Sequence, residues 1–279
     1  VKREPLYFLD GRVVPASAAR VPVLDLGMMR GFALFESLRT YGGRPFLLDR
    51  HLDRLLREAR RVGLECPYSR LAIHRVVARL LRRNRFPEAL VRVLLTGGPS
   101  AKLVPTGRPT FAVLVDPLHA FPDWQYAKGI ALMSIPFERA FPEMKTTNYF
   151  AAVWGTLRAL RRGFHEIVYA RENGEFLEGS TFNLFAVLPG PRLVTPREDV
   201  LAGVTAGCVL EIARKLRIPV ERRPIRPADL RRAREAFITS SNREVLPVRR
   251  IDRREIGGGR PGPVTRRLHE AYRAFAQRA

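Results

Sequence analysis

Two cysteines in 279 residues, Cys66 and Cys208, provide no disulfide framework, and neither sits at a metal-ligand spacing. They read as core thiols. The five histidines, His51, His74, His119, His165 and His269, are scattered with no pair at helical or turn spacing, which argues against a metal centre. No apolar run approaches the ~20 residues a membrane helix needs. The opening Val1-Lys2-Arg3-Glu4-Pro5 lacks the apolar core of a secretory signal. The expectation is a soluble, cytoplasmic chain with no membrane partner.

Acidic residues are also scarce: 27 Asp and Glu stand against 49 Lys and Arg, a net charge of +22. Such an excess attracts polyanions through charge alone. Yet only Lys2, Lys102, Lys128, Lys145 and Lys215 are lysines, and the arginines are distributed. They fall within 50–61, 70–85, 158–162, 222–234 and 243–254, interleaved with leucines as on the solvated faces of amphipathic helices. With no basic tail, zinc-finger spacing or aromatic RNA-binding pattern, no specific nucleic-acid partner is expected.

Apolar residues make up 46% of the chain, enough for one large core or two of ordinary size. The first part alternates paired strands with segregated helices. Tyr7–Leu9 and Arg12–Val14 flank Asp10-Gly11, and Phe35–Tyr41 and Phe46–Leu48 flank Gly42-Gly43, both hairpin patterns. Leu52, Leu55, Leu56, Ala59 and Val62 form one helical stripe, and Leu71, Ile73, Val76, Val77, Leu80 and Leu81 a second. Strands follow at Leu90–Thr96 and Phe111–Val115. This predicts an α+β domain over residues 1–118, a linker over 119–127 rich in prolines and aromatics, and a larger domain over 128–279. In the latter, Ile130–Ile135, Ile167–Ala170, Phe182–Val187 and Ala236–Thr239 read as strands, with helices through Ala151–Leu160 and after Thr205.

Lys145 lies between a predicted strand and a predicted helix, where an amine with a depressed pKa can form a Schiff base with a carbonyl. Three later clusters add to it. Glu178-Gly179-Ser180-Thr181 sets an acid beside small hydroxyl residues. Leu201-Ala202-Gly203-Val204-Thr205 runs a glycine turn into a helix whose first amides suit a phosphate. Thr239-Ser240-Ser241-Asn242 ends a strand in hydroxyls. Lysine, acid and two phosphate-suited turns, in that order, are what pyridoxal 5'-phosphate requires.

The chain here resembles the class IV, or fold-type IV, aminotransferases, a family that includes branched-chain aminotransferases, D-amino acid transaminases and aminodeoxychorismate lyases. The resemblance spans nearly the whole chain. Carrying it are Arg30-Gly31-Phe32-Ala33-Leu34-Phe35-Glu36, His51-Leu52-Asp53-Arg54-Leu55, Lys145 with Asn148, and Leu177 through Asn183. Gly203-Val204-Thr205, Phe237 through Ser241, Glu244 through Val248 and Pro261 through Thr265 complete it.

What the resemblance implies is a two-domain α/β enzyme of the α+β kind, with the cofactor in the cleft between a smaller N-terminal and a larger C-terminal domain. It implies that Lys145 binds the cofactor aldehyde and shuttles the proton at the substrate α-carbon, and that Glu178 pairs with the pyridine nitrogen. Arg54, Val204, Thr205, Ser240 and Ser241 would hold the phosphate, and Leu201 would pack on the ring. Phe35, Arg30 and Arg92 are candidates for substrate recognition. Homodimerisation and ping-pong transfer of an amine from an amino acid to a 2-oxo acid are expected on the same ground. The loop Thr96–Ala101 lacks the Arg-X-His of the D-alanine-type enzymes and the glycine-rich loop of the branched-chain ones, so the amino donor stays open. So do a lyase reaction releasing pyruvate and, remotely, a basic nucleic-acid binder.

Overall fold

The computed structural model describes residues 4–278; Val1, Lys2 and Arg3 of the opening pentapeptide lie outside the described residues, as does Ala279. Two compact units result. The first comprises the described residues up to His119 together with Met144–Asn148, and the second comprises Ala120–Glu143 and Tyr149–Arg278.

In the first unit the elements are β1 (Leu6–Leu9), β2 (Arg12–Pro15), α1 (Leu26–Arg30), β3 (Ala33–Tyr41), β4 (Arg44–Pro45), α2 (Leu48–Arg61), α3 (Arg70–Asn84), β5 (Ala89–Thr96) and β6 (Phe111–Pro117). The six strands form one sheet in the order β2-β1-β6-β5-β3-β4, antiparallel throughout. Alternation in β5, and in β3 from Leu34 onward, buries one face. Leu34 and Leu38, Val91, Val93 and Leu95, and Phe111, Val113 and Val115 pack there against Leu52, Leu55 and Ala59 of α2 and Ile73, Val77 and Leu80 of α3. Phe46–Leu48, expected as a strand, instead makes a turn and the start of α2. Leu47 adopts a left-handed conformation, and Phe46 and Leu48 spend their apolar character anchoring the helix to the core.

The second unit contains α4 (Asp123–Lys128), β7 (Ile130–Pro136), α5 (Phe150–Arg161), β8 (Glu166–Ala170), β9 (Phe176–Gly179), β10 (Asn183–Leu188), β11 (Arg192–Thr195), α6 (Val204–Lys215), β12 (Val220–Arg222), α7 (Pro227–Arg232), β13 (Glu235–Ser240), β14 (Glu244–Ile251), β15 (Arg254–Glu255) and α8 (Pro263–Ala276). Its sheet runs β12-β11-β10-β13-β14-β7-β8-β9, with β15 on β14 and a further pairing of β9 with β10. That last pair, Glu178 opposite Asn183, closes β10, β13, β14, β7, β8 and β9 into a ring. A core of Ile130, Leu132, Val168, Leu184, Ala186, Ile238 and Leu246 belongs to those strands. Strands buried on both faces read as continuous apolar runs, as β8 and β10 do.

Two expectations change here. The segment expected as a linker carries most of the short helix α4, and Met144–Asn148, expected in the second domain, pairs with β3: Thr146 bridges Leu34, and Phe35 N–H donates to the Lys145 carbonyl at 3.0 Å. Helix α5 turns its small residues, and not its large apolar ones, inward. Its buried residues are Ala152, Gly155 and Ala159, because the helix lies so close that a Cβ on Gly155 would stand 2.8 Å from Ile167 Cδ1. Phe150, Val153, Trp154, Leu157 and Leu160 point away from the unit's core and are exposed in the single chain.

Candidate active site

Lys145 is fixed by its backbone to the edge of β3, and its side chain lies across that strand. Its Nζ stands 4.4 Å from the centroid of the Phe35 ring. The segment is pinned further on: Thr147 N–H donates to the Ala33 carbonyl. Asn148 packs so tightly on Gly31 that a Cβ there would meet its Oδ1 at 2.0 Å. Gly31 also closes α1 in the left-handed region, at φ 67°, so glycine meets two demands at once.

Beneath the same strand the alternation places Glu36 on the core face, fully buried. A carboxylate there needs a cation, and α2 supplies one. Arg54 donates from Nε to Glu36 Oε1 and from Nη2 to Oε2, both at 2.7 Å, while His51 Nδ1 lies 2.6 Å from Oε2. Burial pushes the Glu36 carboxyl up, but the charge and hydrogen bonds of Arg54, helped by His51, outweigh it and hold the group at about 2. Burial pushes the His51 imidazole down in spite of Glu36, so at neutral pH it is uncharged and its Nδ1–H donates. Arg54 is thus buried rather than a solvated helix arginine, with its guanidinium orientation set by a bidentate partner. Glu36 and His51 stand in the motifs that carry the resemblance, but the sequence assigned them no role. The signal was there: an acid at the buried parity of an alternating strand, and a histidine one turn before an arginine on a leucine stripe.

The second unit groups the other candidates. Glu178, at the end of β9, is buried; Arg139 Nε donates to its Oε1 at 2.7 Å and the Leu201 N–H to its Oε2 at 2.9 Å. Asn183 Nδ2 donates to the Leu201 carbonyl at 2.8 Å, so the turn before α6 is held from both sides. Gly203 completes it: a Cβ would meet Asn183 Oδ1 at 2.1 Å. Val204 and Thr205 open α6, whose twelve residues direct the positive end of the helix dipole and unpaired amides outward from this turn. Ser240 and Ser241 lie at the β13–β14 turn, where Arg243 N–H donates to Ser240 Oγ and Arg243 Nη2 pairs with Glu166 at 2.9 Å. Beside them Thr239 Oγ1 is buried with no hydrogen-bond partner among the described residues.

A group bearing a phosphate and a ring nitrogen fits these donors: a helix start with a glycine approach, hydroxyls including an orphaned one, and a fixed carboxylate. Among the described residues no three His, Cys, Asp or Glu side chains could hold a metal ion, and no helix is long and apolar enough to cross a membrane.

The substrate candidates separate. Phe35 is brought to Lys145. Arg92 sits on the same face of the sheet, opposite Ser37, paired with Asp116 at 2.5 Å, and Asp116 also accepts from the Tyr7 hydroxyl. Arg30 is exposed in the last turn of α1.

Residues 33–251 match the family model described as amino-transferase class IV. A putative branched-chain-amino-acid aminotransferase of Methanocaldococcus jannaschii is 30% identical over 272 residues, covering 95% of this chain and 94% of its own. A D-alanine aminotransferase of Listeria monocytogenes is 26% identical, covering 95% and 93%. In structure, the chain superposes on a T.th. branched-chain amino acid aminotransferase with pyridoxamine 5'-phosphate at a TM-score of 0.91, with 28% identity over 99% of this chain and 95% of that one. Another structure of the T.th. enzyme holds N-(5'-phosphopyridoxyl)-L-glutamate. The chain belongs to the class IV aminotransferases and is a pyridoxal-phosphate-dependent transaminase of fold type IV.

Proposed function

We propose that this transaminase takes a branched-chain-like aliphatic amino acid as donor and a 2-oxo acid as acceptor, in ping-pong order. When bound, pyridoxal phosphate supplies an aldehyde that captures the substrate amine and a pyridine ring that withdraws electrons. The residues do the rest. Lys145 is the base that moves the proton at the substrate α-carbon, and the backbone ties of its segment to β3 limit where that amine can go. Glu178 holds the proton at the ring nitrogen. Leu201 packs against the ring. Arg54, the amides of Val204 and Thr205, and the hydroxyls of Thr205, Ser240 and Ser241 bind the phosphate.

The observation that carries the aliphatic reading is the apolar ring of Phe35 set directly against the Lys145 amine. The branched-chain names of the M. jannaschii relative and the T.th. structures agree with it. Arg92, on the same face, is the candidate for a substrate carboxylate. A half-reaction screen decides the donor. Holoenzyme mixed with single L- and D-amino acids is expected to convert to the pyridoxamine form fastest with L-leucine, L-isoleucine or L-valine. Conversion confined to D-alanine and its homologues would overturn the aliphatic L-donor reading.

We also infer a homodimer built on α5. Phe150 is 85% exposed, and Val153, Trp154, Leu157 and Leu160 extend it into an apolar stripe along the helix, a surface expensive to leave in water. A second copy supplies the same stripe, which suits a two-fold, self-complementary contact. Sedimentation at micromolar concentration is expected to give twice the chain mass, and Trp154→Glu with Leu157→Glu to give the single mass. A monomeric parent protein would contradict this.

A further inference from the structure

Nothing in the sequence singles out Arg139, yet it is the counter-charge of Glu178. It lies in the segment after β7, mostly buried, with Nε 2.7 Å from Glu178 Oε1; its other end donates to the Pro142 carbonyl. Glu178 is fixed from its other side by the Leu201 amide, and its neighbour Gly179 lies so close under the Phe182 ring that a Cβ would stand 2.0 Å from it. The carboxylate therefore has one orientation, held between a guanidinium and a backbone amide.

We propose that Arg139 is a positioning residue that keeps the negative charge on Glu178, so that the single proton shared between this carboxylate and the pyridine nitrogen stays on nitrogen. The inference rests on the reading that Glu178 faces that nitrogen. A buried carboxylate with no cation is costly and favours the neutral acid. With Arg139 present, the proton sits on the ring, whose positive charge is balanced by Glu178 and which draws electrons strongly. With Arg139 gone, the proton moves to a Glu178 oxygen and the ring becomes neutral, a weaker electron sink. Tyr169 interacts electrostatically with both Arg139 and Glu178, and with Tyr149 and Glu166. Burial, with Glu178, Tyr149 and Glu166 adding to it, pushes the Tyr169 phenol up against the opposing effect of Arg139, so this phenol stays neutral and adds no second negative charge to Glu178. The ordinary alternative is that Arg139 merely ties its own loop to the strand.

The test reads the ring nitrogen itself. Apoprotein is reconstituted with pyridoxal phosphate labelled with 15N in the ring, and the 15N shift is recorded for the parent, Arg139→Met, Arg139→Lys and Glu178→Gln. The expected result is a protonated-nitrogen shift in the parent that persists above pH 8. In Arg139→Met the shift moves towards the unprotonated value, and Arg139→Lys largely restores it. Cofactor affinity of the apoprotein is expected to fall about ten- to a hundredfold in Arg139→Met. A folded Arg139→Met protein with an unmoved shift would overturn the proposal and leave Arg139 a loop tie. Should Arg139→Met fail to fold, the parent titration and Arg139→Lys carry the test, and loss of the ring proton in the lysine variant would overturn the proposal equally. A protonated-type shift in Glu178→Gln would instead remove the underlying reading of Glu178, an outcome separable from the first.

Discussion

Lys145→Ala is expected to lower turnover by about 10⁴-fold or more, while the protein stays folded and still binds pyridoxal phosphate through its phosphate and ring contacts. The reason is local. The amine is the group assigned to move the α-proton, and Phe35, its aromatic neighbour, has no group that can accept or deliver a proton in its place. The visible band of the lysine-bound cofactor should vanish in the same variant. A small primary amine in the buffer should return part of the activity, because it replaces the missing base without replacing the side chain. Turnover within tenfold of the parent would remove Lys145 from the chemistry.

Glu36→Ala is expected to cost about 3–5 kcal/mol of stability, read as a lowered urea midpoint at pH 7, because it strands the Arg54 guanidinium in the core of the first unit. Combining Glu36→Leu with Arg54→Met should cost less than the two single changes summed, since the desolvated charges leave together. The pH dependence has the same origin and a definite sign. Glu36 is held below its unfolded value, so its contribution is complete above about pH 5 and is lost as pH falls towards 2. The drop from 4.5 to about 2 is worth roughly 3 kcal/mol. His51 is also depressed, so its contribution begins to fall earlier, as pH drops below about 6.5. Urea midpoints of the parent should therefore decline from pH 7 to pH 3, and Glu36→Ala should decline less steeply. Parallel slopes for the two proteins would contradict the assignment of the buried triad.

Local pattern announced most of the elements and little of their partnership. The alternation of β3 and the leucine stripes of α2 and α3 are visible because each buries one face against a neighbour in the same unit. In α5 the same logic found the helix without its buried face. Small residues pack inward there, so apolar spacing marked the outward side. α4, at six residues, is too short to show a period. α8 went unread although Pro263 stands at its first turn, a start signal available to sequence reasoning. Among the candidate site residues, the lysine, the acid and the glycine turns stand out in their order along the chain. Arg139 was not, because one arginine among so many carries no mark of a partner 39 positions away. The assignment of Met144–Asn148 to the first unit has the same cause: a strand bridge to Leu34 is a long-range contact that no window of sequence contains.

Borohydride reduction of the holoenzyme followed by peptide mass analysis tests the central claim most directly. Reduction fixes the cofactor to whichever amine holds it, and only five lysines compete. The expected product is a single phosphopyridoxyl adduct on the peptide containing Lys145. An adduct on Lys2, Lys102, Lys128 or Lys215 with Lys145 unmodified, in an enzyme that was active before reduction, would contradict it.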